Sequence, residues 1–278
     1  MKIGKDLKIV VLLITFLLAF SYFSNEKAII MVNKNIIDDE VSSEVTITIV
    51  YDNYEYDKRL KTGFGFSCIV KIENKSILFD TGSDSETLLE NMNELSLDLK
   101  NIEIIVLSHI HWDHVGGLKG FLGVNSDVDV YVPKSFPDDF KDEVKSFGAD
   151  IIEVSDPMKI FNGAYSTGEL GTFIKEQSLI IKTERGLIII TGCAHSGIVN
   201  IVKRTKELTK EEVYLVTGGF HLGGTSDYEI KNIVESFRKL GVKKVAPCHC
   251  TGDRAIGLFE EEYKDDFIKA GVGKIISI

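Results

Sequence analysis

"LSHIHWDHVGG", residues 107–117, places three histidines and an aspartate directly after a run of apolar residues. The whole chain has only six histidines, so half of them fall in this one stretch. Helix side chains two positions apart point away from each other, so His109 and His111 do not share a helix face. A loop leaving a buried strand would turn both of them, with Asp113 and His114, toward one point. Neutral imidazoles and a carboxylate are ligands that first-row metal ions prefer, so the stretch predicts a metal site.

The other three histidines have the same kind of position. His195 in "TGCAHSG" follows the apolar run "GLIII", His221 in "TGGFHLGG" follows "VYLV", and His249 in "APCHCTG" follows "KVA". All six histidines are therefore predicted in loops at the carboxyl ends of strands, where α/β enzymes place their sites. A single histidine is more often structural than a ligand, but this shared placement favours metal binding.

Strands and helices are predicted to alternate along the chain. The predicted strands are 45–52, 66–72, 76–80, 102–108, 131–133, 178–183, 186–191, 213–218, 244–247 and 274–278. The predicted helices are 85–95, 136–148, 197–208, 227–241 and 253–263. Hairpins occur in both halves, which favours sheets covered by helices over an all-parallel barrel.

The amino terminus has a different composition. Lys2, Lys5 and Lys8 precede fifteen uncharged residues, 9–23. As a helix these fall short of the ~30 Å hydrocarbon core, so 1–24 is predicted to be a signal peptide, with an uncleaved membrane anchor or a buried helix as alternatives. Residues 25–44 are predicted to be a linker, and 45–278 the catalytic domain. The lysines favour an extracytoplasmic domain, secreted or anchored, over one that faces the cytoplasm.

The net charge of −10 repels phosphate backbones, so nucleic acid is not an expected partner. We expect a small-molecule substrate that bears phosphate. The oligomeric state is not indicated.

Five motifs in this order resemble those of the metallo-β-lactamase superfamily, over roughly residues 46–278. They are "FDTG" (79–82), "SHIHWDH" (108–114), "TGCAHSG" (191–197), "GGFHL" (218–222) and "PCHCTG" (247–252). With "GFGFSCIV" and "TGEL" they resemble the subgroup of 7,8-dihydropterin-6-yl-methyl-4-(β-D-ribofuranosyl)aminobenzene 5'-phosphate synthase. The resemblance implies an α/β fold (α+β in some schemes): a four-layer αβ/βα sandwich of two facing mixed sheets, with the site along one edge.

The resemblance also implies one or two divalent transition-metal ions, zinc before iron or manganese. One ion would be held by His109, His111 and His195, and the other by Asp113, His114 and His249. A hydroxide between the ions would then attack the substrate. Asp113 is alternatively the group that orients the water or accepts its proton.

One motif departs from the family pattern. The fourth usually supplies an aspartate that bridges both ions, but "GGFHL" has no carboxylate. His221 is therefore expected either to bind an ion or to act as a general acid, and a single-metal enzyme is an alternative. Asp80 is expected either to accept the outer N–H of a ligand histidine or to cap the next turn through the amides of Thr81 and Gly82.

The four cysteines, Cys68, Cys193, Cys248 and Cys250, form no recognisable disulfide framework. Packing near the site is the simpler interpretation, and a thiolate ligand is the alternative. Trp112 is expected either to wall the pocket or to pack on the next helix, and Glu176 to be a solvated loop residue.

Three functions fit these features. The first is a metal-dependent hydrolase of a phosphate or ester-like bond. The second, implied by the subgroup, is a transferase that joins a dihydropterin pyrophosphate to an arylamine ribose phosphate with loss of pyrophosphate. The third is a non-catalytic metal carrier or sensor, which would need a closed coordination shell rather than two open sets of three ligands.

Overall fold

The computed structural model describes residue 41 and residues 44–278. The first sheet has seven strands. Its strands are β1 (Val45–Tyr51), β2 (Ser67–Ile72), β3 (Lys75–Phe79), β4 (Ile104–Val106), β5 (Asp129–Pro133), β6 (Asp150–Val154) and a last strand, Ile275–Ser277. The last strand lies beside β1, and β1 to β6 then follow in sequence order. Pairing is antiparallel up to β3 and parallel from β3 to β6.

The second sheet has the same mixed character. Its strands are β7 (Met158–Phe161), β8 (Ala164–Ser166), β9 (Leu179–Thr183), β10 (Gly186–Thr191), β11 (Val213–Gly219) and β12 (Lys244–Cys248), so the last strand of the first sheet is β13. The spatial order is β12-β11-β10-β9-β8-β7. Strands β10, β11 and β12 are parallel, so their carboxyl ends lie at one edge of the sheet.

The helices lie between strands in sequence. Those of the described residues are α1 (Ser85–Glu94), α2 (Trp112–Val115), α3 (Leu118–Val124), α4 (Asp138–Ser146), α5 (Ile198–Thr209), α6 (Asp227–Lys239) and α7 (Asp253–Tyr263). The Asp84 side chain caps α1 by accepting the amide of Thr87. A short 3-10 turn, His249–Thr251, follows β12 directly.

Three separate apolar cores define four layers. The first core joins the inner faces of both sheets, the second packs α1, α3 and α4 on the first sheet, and the third packs α5, α6 and α7 on the second sheet. Along β10, Ile188 and Ile190 enter the core between the sheets, and Ile189 enters the core under the helices. Since both faces of a strand are buried, its sequence is a continuous apolar run. The predicted four-layer αβ/βα sandwich is confirmed.

Each predicted strand and helix overlaps an observed one, but five elements were not predicted: β6, β7, β8, α2 and α3. The three strands are short, and every residue of β7 is only half-buried, so none has a clear apolar period. They add the outer strands of both sheets in the region 150–166. Tertiary pairing, rather than the local sequence pattern, therefore determines these strands.

The predicted signal peptide or anchor (1–24) and nearly all of the predicted linker lie outside the described residues. They stay predictions, which fractionation of host cells and amino-terminal sequencing would test. Within the part of the chain that is described, no helix combines the length and apolar character needed to cross a membrane.

Candidate metal centre

The six histidines meet at one edge of the two sheets. The ring of His109 lies 4.2–4.9 Å, between centroids, from the rings of three others: His111, His114 and His195. His249 lies 5.0 Å from His114, and His221 lies 4.3 Å from His195. The structure thus brings together every histidine that the sequence singled out, from strand ends of both sheets.

The first motif is part loop and part helix. His109 and His111 lie in the loop after β4, as predicted, but Asp113 and His114 lie on the one-turn helix α2. The prediction of a loop for these two was wrong, because the His111 carbonyl accepts the amides of His114 and Val115 and starts a helical turn. Consecutive helix positions are about 100° apart, so both side chains can still face the cluster.

Asp80 is fully buried behind the cluster. Its Oδ2 lies 2.7 Å from Nδ1 of His114 and accepts the Ser108 hydroxyl at 2.7 Å, and its Oδ1 accepts the Ser108 amide at 2.6 Å. The Ser108 hydroxyl oxygen lies 2.9 Å from Nδ1 of His109. One carboxylate therefore orients two histidine rings, and in each the Nε2 is left to face inward.

The alternative role of Asp80 as a cap is excluded. The Thr81 amide donates to the His114 carbonyl, and the Gly82 amide donates to the Phe66 carbonyl. Gly192, in "TGCAHSG", passes so close that a Cβ there would lie 2.1 Å from the Ser108 hydroxyl oxygen and 2.8 Å from Asp80 Oδ2. Only a glycine allows this contact between the sheets.

His249 is held in a similar way from the first sheet. Its Nδ1 lies 2.9 Å from Oδ1 of Asn53, so its Nε2 points inward, 3.3 Å from Oδ2 of Asp113. Nε2 of His114 lies 3.5 Å from the same Asp113 oxygen. Asp113, His114 and His249 therefore converge as a group of three donors.

Glu176 positions the loop of the third motif. It is 1% exposed and accepts the amides of His195 and Ser196 and the Ser196 hydroxyl, at 2.6–3.0 Å. The expectation of a solvated loop residue was wrong, and no spacing in the sequence would have indicated this contact. The backbone of His195 is fixed in this way, yet its Nε2 is buried and has no hydrogen-bond partner among the described residues.

Burial and the neighbouring carboxylates have opposite effects on the pKa values of the clustered histidines. Burial lowers the pKa of His109 well below its usual range and that of His195 to about 4, so both rings are neutral and carry a free lone pair. Burial opposes the charge on His114, but Asp80 and Asp113 raise its pKa to about 9. Burial likewise opposes the charge on Asp113, and His114 and His249 hold its pKa far below the usual range.

The four cysteines are free thiols. Cys68 and Cys248 are fully buried in the core between the sheets, which fits a packing role. Cys193 lies inside the cluster: its Sγ is 3.2 Å from Nε2 of His114 and 3.4 Å from Nε2 of His249. Packing alone therefore does not describe Cys193.

The outer side of the cluster opens on a pocket of about 410 Å³, lined by Asn53, Tyr54, Phe64, His221, Gly223, His249, Cys250, Gly252 and Asp253. His221 is exposed there, and a hydrogen bond with Cys250 raises its pKa. Phe64 is 53% and Trp112 62% exposed, and their rings stack with centroids 6.1 Å apart. Phe64 lines this pocket, so the Trp112 ring that stacks on it lies beside the opening.

The residues fit a metal ion. Donor atoms within 4.8 Å of one another form three groups among the described residues: Asp113, His114, Cys193 and His249; His109, Cys193 and His195; and Cys193, His221 and Cys250. The unpartnered Nε2 of His195 fits a metal ligand, because buried polar atoms are otherwise hydrogen-bonded. His111 adjoins the second group, with its Nδ1 3.1 Å from Nε2 of His109.

Known proteins with similar sequences or structures identify the family of the chain. The sequence model of the metallo-beta-lactamase superfamily matches residues 60–204. The chain is 32% identical to the 7,8-dihydropterin-6-methyl-4-(beta-D-ribofuranosyl)-aminobenzene-5'-phosphate synthase of Methanocaldococcus jannaschii, over 82% of this chain and 95% of that protein.

Among solved structures, a metal-dependent hydrolase of the beta-lactamase superfamily has 29% identity and a TM-score of 0.69, over 84% of this chain and 98% of the other. A diphosphatase of the PhnP family, at 14% identity, shares the fold with a TM-score of 0.56, over 84% of this chain and 97% of the other. These relatives indicate an enzyme, in a fold that usually binds divalent metal ions. By its motifs, its four layers and these matches, the chain belongs to the metallo-β-lactamase superfamily.

Proposed function

We propose that the protein is a metal-dependent hydrolase that cleaves a phosphate or ester-like bond in a small molecule. His109, His111 and His195 would hold one ion, and Asp113, His114 and His249 the other. Bound there, the ions would supply an activated water and stabilise the charge that develops on the leaving group. The observation that carries the proposal is the buried, unpartnered Nε2 of His195 among inward-facing imidazole nitrogens.

The protein's own residues supply orientation and protons. Asp80 and Asn53 fix the rings of His114 and His249 through Nδ1, so both present Nε2 to the site. His221 stands on the open side, where substrate enters the pocket. Because a hydrogen bond with the sulfur of Cys250 raises the pKa of His221, this ring can carry a proton toward a leaving oxygen.

A second candidate, the transferase, is favoured by one feature of the site. The stacked, exposed rings of Phe64 and Trp112 offer a face on which a flat conjugated ring can lie, beside the proposed ions. The synthase relative is named for a product that contains a dihydropterin and an aminobenzene ring. In the transferase, the arylamine nitrogen would displace pyrophosphate from the pterin methyl carbon.

One assay separates the two candidates. Anaerobically purified full-length protein is supplied with a dihydropterin pyrophosphate, with and without an arylamine ribose phosphate, and with a panel of phosphoesters, lactones and thioesters. Hydrolysis without the amine supports the hydrolase, and a coupled product that forms only with the amine supports the transferase.

The matched control is His111→Ala in the same preparation. We expect elemental analysis to find one or two first-row transition ions per wild-type chain and much less in this variant, with loss of turnover. Unchanged metal content in His111→Ala would contradict the ligand assignment. Full metal content with no turnover of any substrate would instead support a carrier or sensor.

A further inference from the structure

Cys193 lies where the two proposed sets of ligands meet. Its sulfur is within 4.8 Å of the donor atoms of Asp113, His114 and His249, and also within that distance of those of His109 and His195. It is the residue common to all three donor groups of the described chain. It is also buried, so solvent does not compete for its sulfur.

The spacing around this sulfur matches metal coordination. A nitrogen about 2.0–2.1 Å and a sulfur about 2.3 Å from the same ion are about 3.5–3.6 Å apart in tetrahedral geometry. The sulfur lies 3.2 Å from Nε2 of His114 and 3.4 Å from Nε2 of His249. Those nitrogens lie 3.5 and 3.3 Å from Asp113 Oδ2. Four donors thus already have nearly the separations of a tetrahedral shell.

Charge balance also favours a thiolate. Asp113 is the one carboxylate in the donor groups of the described residues, whereas two divalent ions bring four positive charges. Asp80 and Glu176 are buried nearby, but their oxygens accept hydrogen bonds from Ser108, His114 and the loop of His195. A second negative ligand supplied by the described residues of these donor groups would therefore be a thiolate.

The end of β11 shows why a carboxylate is not that ligand. A Cβ at Gly219 would lie 2.6 Å from the sulfur of Cys250 and 3.1 Å from the ring of His249. The space that a longer side chain would occupy there is filled by Cys250. A carboxylate on the end of β11 therefore has no room beside Cys250, so it cannot supply the second negative ligand.

We propose, on the basis of the metal-dependent function proposed above, that the Cys193 thiolate is a ligand shared by both ions. On metal binding, its S–H bond breaks, the sulfur forms a bond to each ion, and the proton passes to the buffer. No oxidation takes place. The metals of choice would then be ions that accept soft sulfur together with imidazole, such as zinc, iron or cobalt.

Cobalt tests this directly, because a cobalt–thiolate bond gives a charge-transfer band in the near ultraviolet that imidazole and carboxylate ligands do not give. Metal-free full-length protein is titrated anaerobically with Co²⁺. We expect the band to grow over both equivalents of cobalt. A wild-type protein with no band would overturn the proposal, and a band complete after one equivalent would overturn the shared role.

Three variants complete the test. Cys193→Ser should abolish the band and lower the affinity for the second ion by about 100-fold, because losing a direct ligand costs at least as much as losing an outer partner. Cys193→Asp should restore the second ion without the band. Cys250→Ser is the matched control, because that sulfur lies nearby, 3.7 Å from the Cys193 carbonyl oxygen, but outside the group of Asp113, His114 and His249.

If Cys250→Ser abolishes the band while Cys193→Ser keeps it, the sulfur ligand is Cys250 and the proposal is wrong. The spectrum needs no substrate, so its result is independent of the activity assays. A cobalt band in a protein that turns over nothing would leave Cys193 a ligand and reject the proposed hydrolase.

Discussion

The metal centre has a deep half and a rim half, and they are built differently. The deep half consists of His109, His114 and His249, each at most 1% exposed. Each of these rings has its Nδ1 within 2.9 Å of a polar partner: Ser108, Asp80 or Asn53. The rim half consists of the half-buried His111 and His195 and the exposed His221. None of these three rings is held from behind by a buried partner: His111 contacts the ring of His109, His221 bonds to Cys250, and the Nε2 of His195 has no partner among the described residues.

This difference shows which ligand rings the folded structure holds in place before metal binds. The deep rings are oriented before any ion binds, so little conformational entropy is lost when an ion binds them. The rim rings are free to adjust to an ion or a substrate. Substitutions behind the deep half should therefore change stability and metal affinity, whereas those at the rim should change turnover.

The largest effect should come from Asp80→Asn. The backbone φ of Asp80 is 54°, which asparagine tolerates as well as aspartate, so this variant isolates the charge. Removing one partner of a buried charged pair costs about 3–5 kcal/mol. Denaturant unfolding of metal-free protein would measure it. A loss under about 1 kcal/mol would mean that His114 does not depend on Asp80 and that the two halves do not differ as described.

The second-largest effect should be a gain of stability when Asp52 is replaced. Burial raises the pKa of Asp52 from 3.8 to about 6, and its Oδ2 has no hydrogen-bond partner among the described residues. The folded state thus favours the protonated acid, so stability is greatest below pH 3.8 and is lost as the pH rises through about 6. At pH 7 the cost is about 3 kcal/mol, at 1.36 kcal/mol per unit.

Asp52→Asn cannot ionise and should remove this loss. Metal-free Asp52→Asn should be more stable than the wild type at pH 7 and equal to it near pH 4, as measured by urea unfolding at both values. The same gain at both pH values would show that ionisation is not the cause.

At the rim, His221→Ala should lower turnover about 100-fold while the metal content stays near that of the wild type, as expected for loss of a donor to a developing charge. Kinetics and elemental analysis of the same sample would show both. The deep-half variant His114→Ala, which should lose metal, is the comparison. If His221→Ala lost an ion in parallel with activity, His221 would be a metal ligand and would not fit the description of the rim residues as groups that affect turnover alone.

The smallest effect on stability should come from the aromatic pair at the opening. Phe64→Ala and Trp112→Ala should shift the unfolding free energy by at most about 0.5 kcal/mol, because both rings are largely exposed. For a substrate with a flat ring, KM should rise about three- to tenfold. Phe147→Ala, at a partly exposed ring after α4, is the control. An unchanged KM in both variants would remove the aromatic pair from the binding surface.

Features that depend on neighbouring residues in the sequence could be predicted, whereas features that depend on distant residues could not. The histidines follow apolar runs, so their common edge could be predicted from strand ends alone. The burial of Glu176 could not, because its partners are the amides of a loop about 20 positions away. Cys193 stands two residues before His195, so a signal for its place in the site was present. The strands β6 to β8 had no such signal, since their pairing is set by neighbours across the sheet.

The donors come from both sheets: His109 and His114 follow β4 of the first sheet, while Cys193, His195 and His249 follow β10 and β12 of the second. An ion held by them is therefore a crosslink between the two layers, not only a reagent. Ligand linkage at a free ion concentration 1,000 times Kd adds about 4 kcal/mol to the folded state. In a metal-poor environment the protein would lose this crosslink, so metal supply would change the stability of the protein as well as its activity.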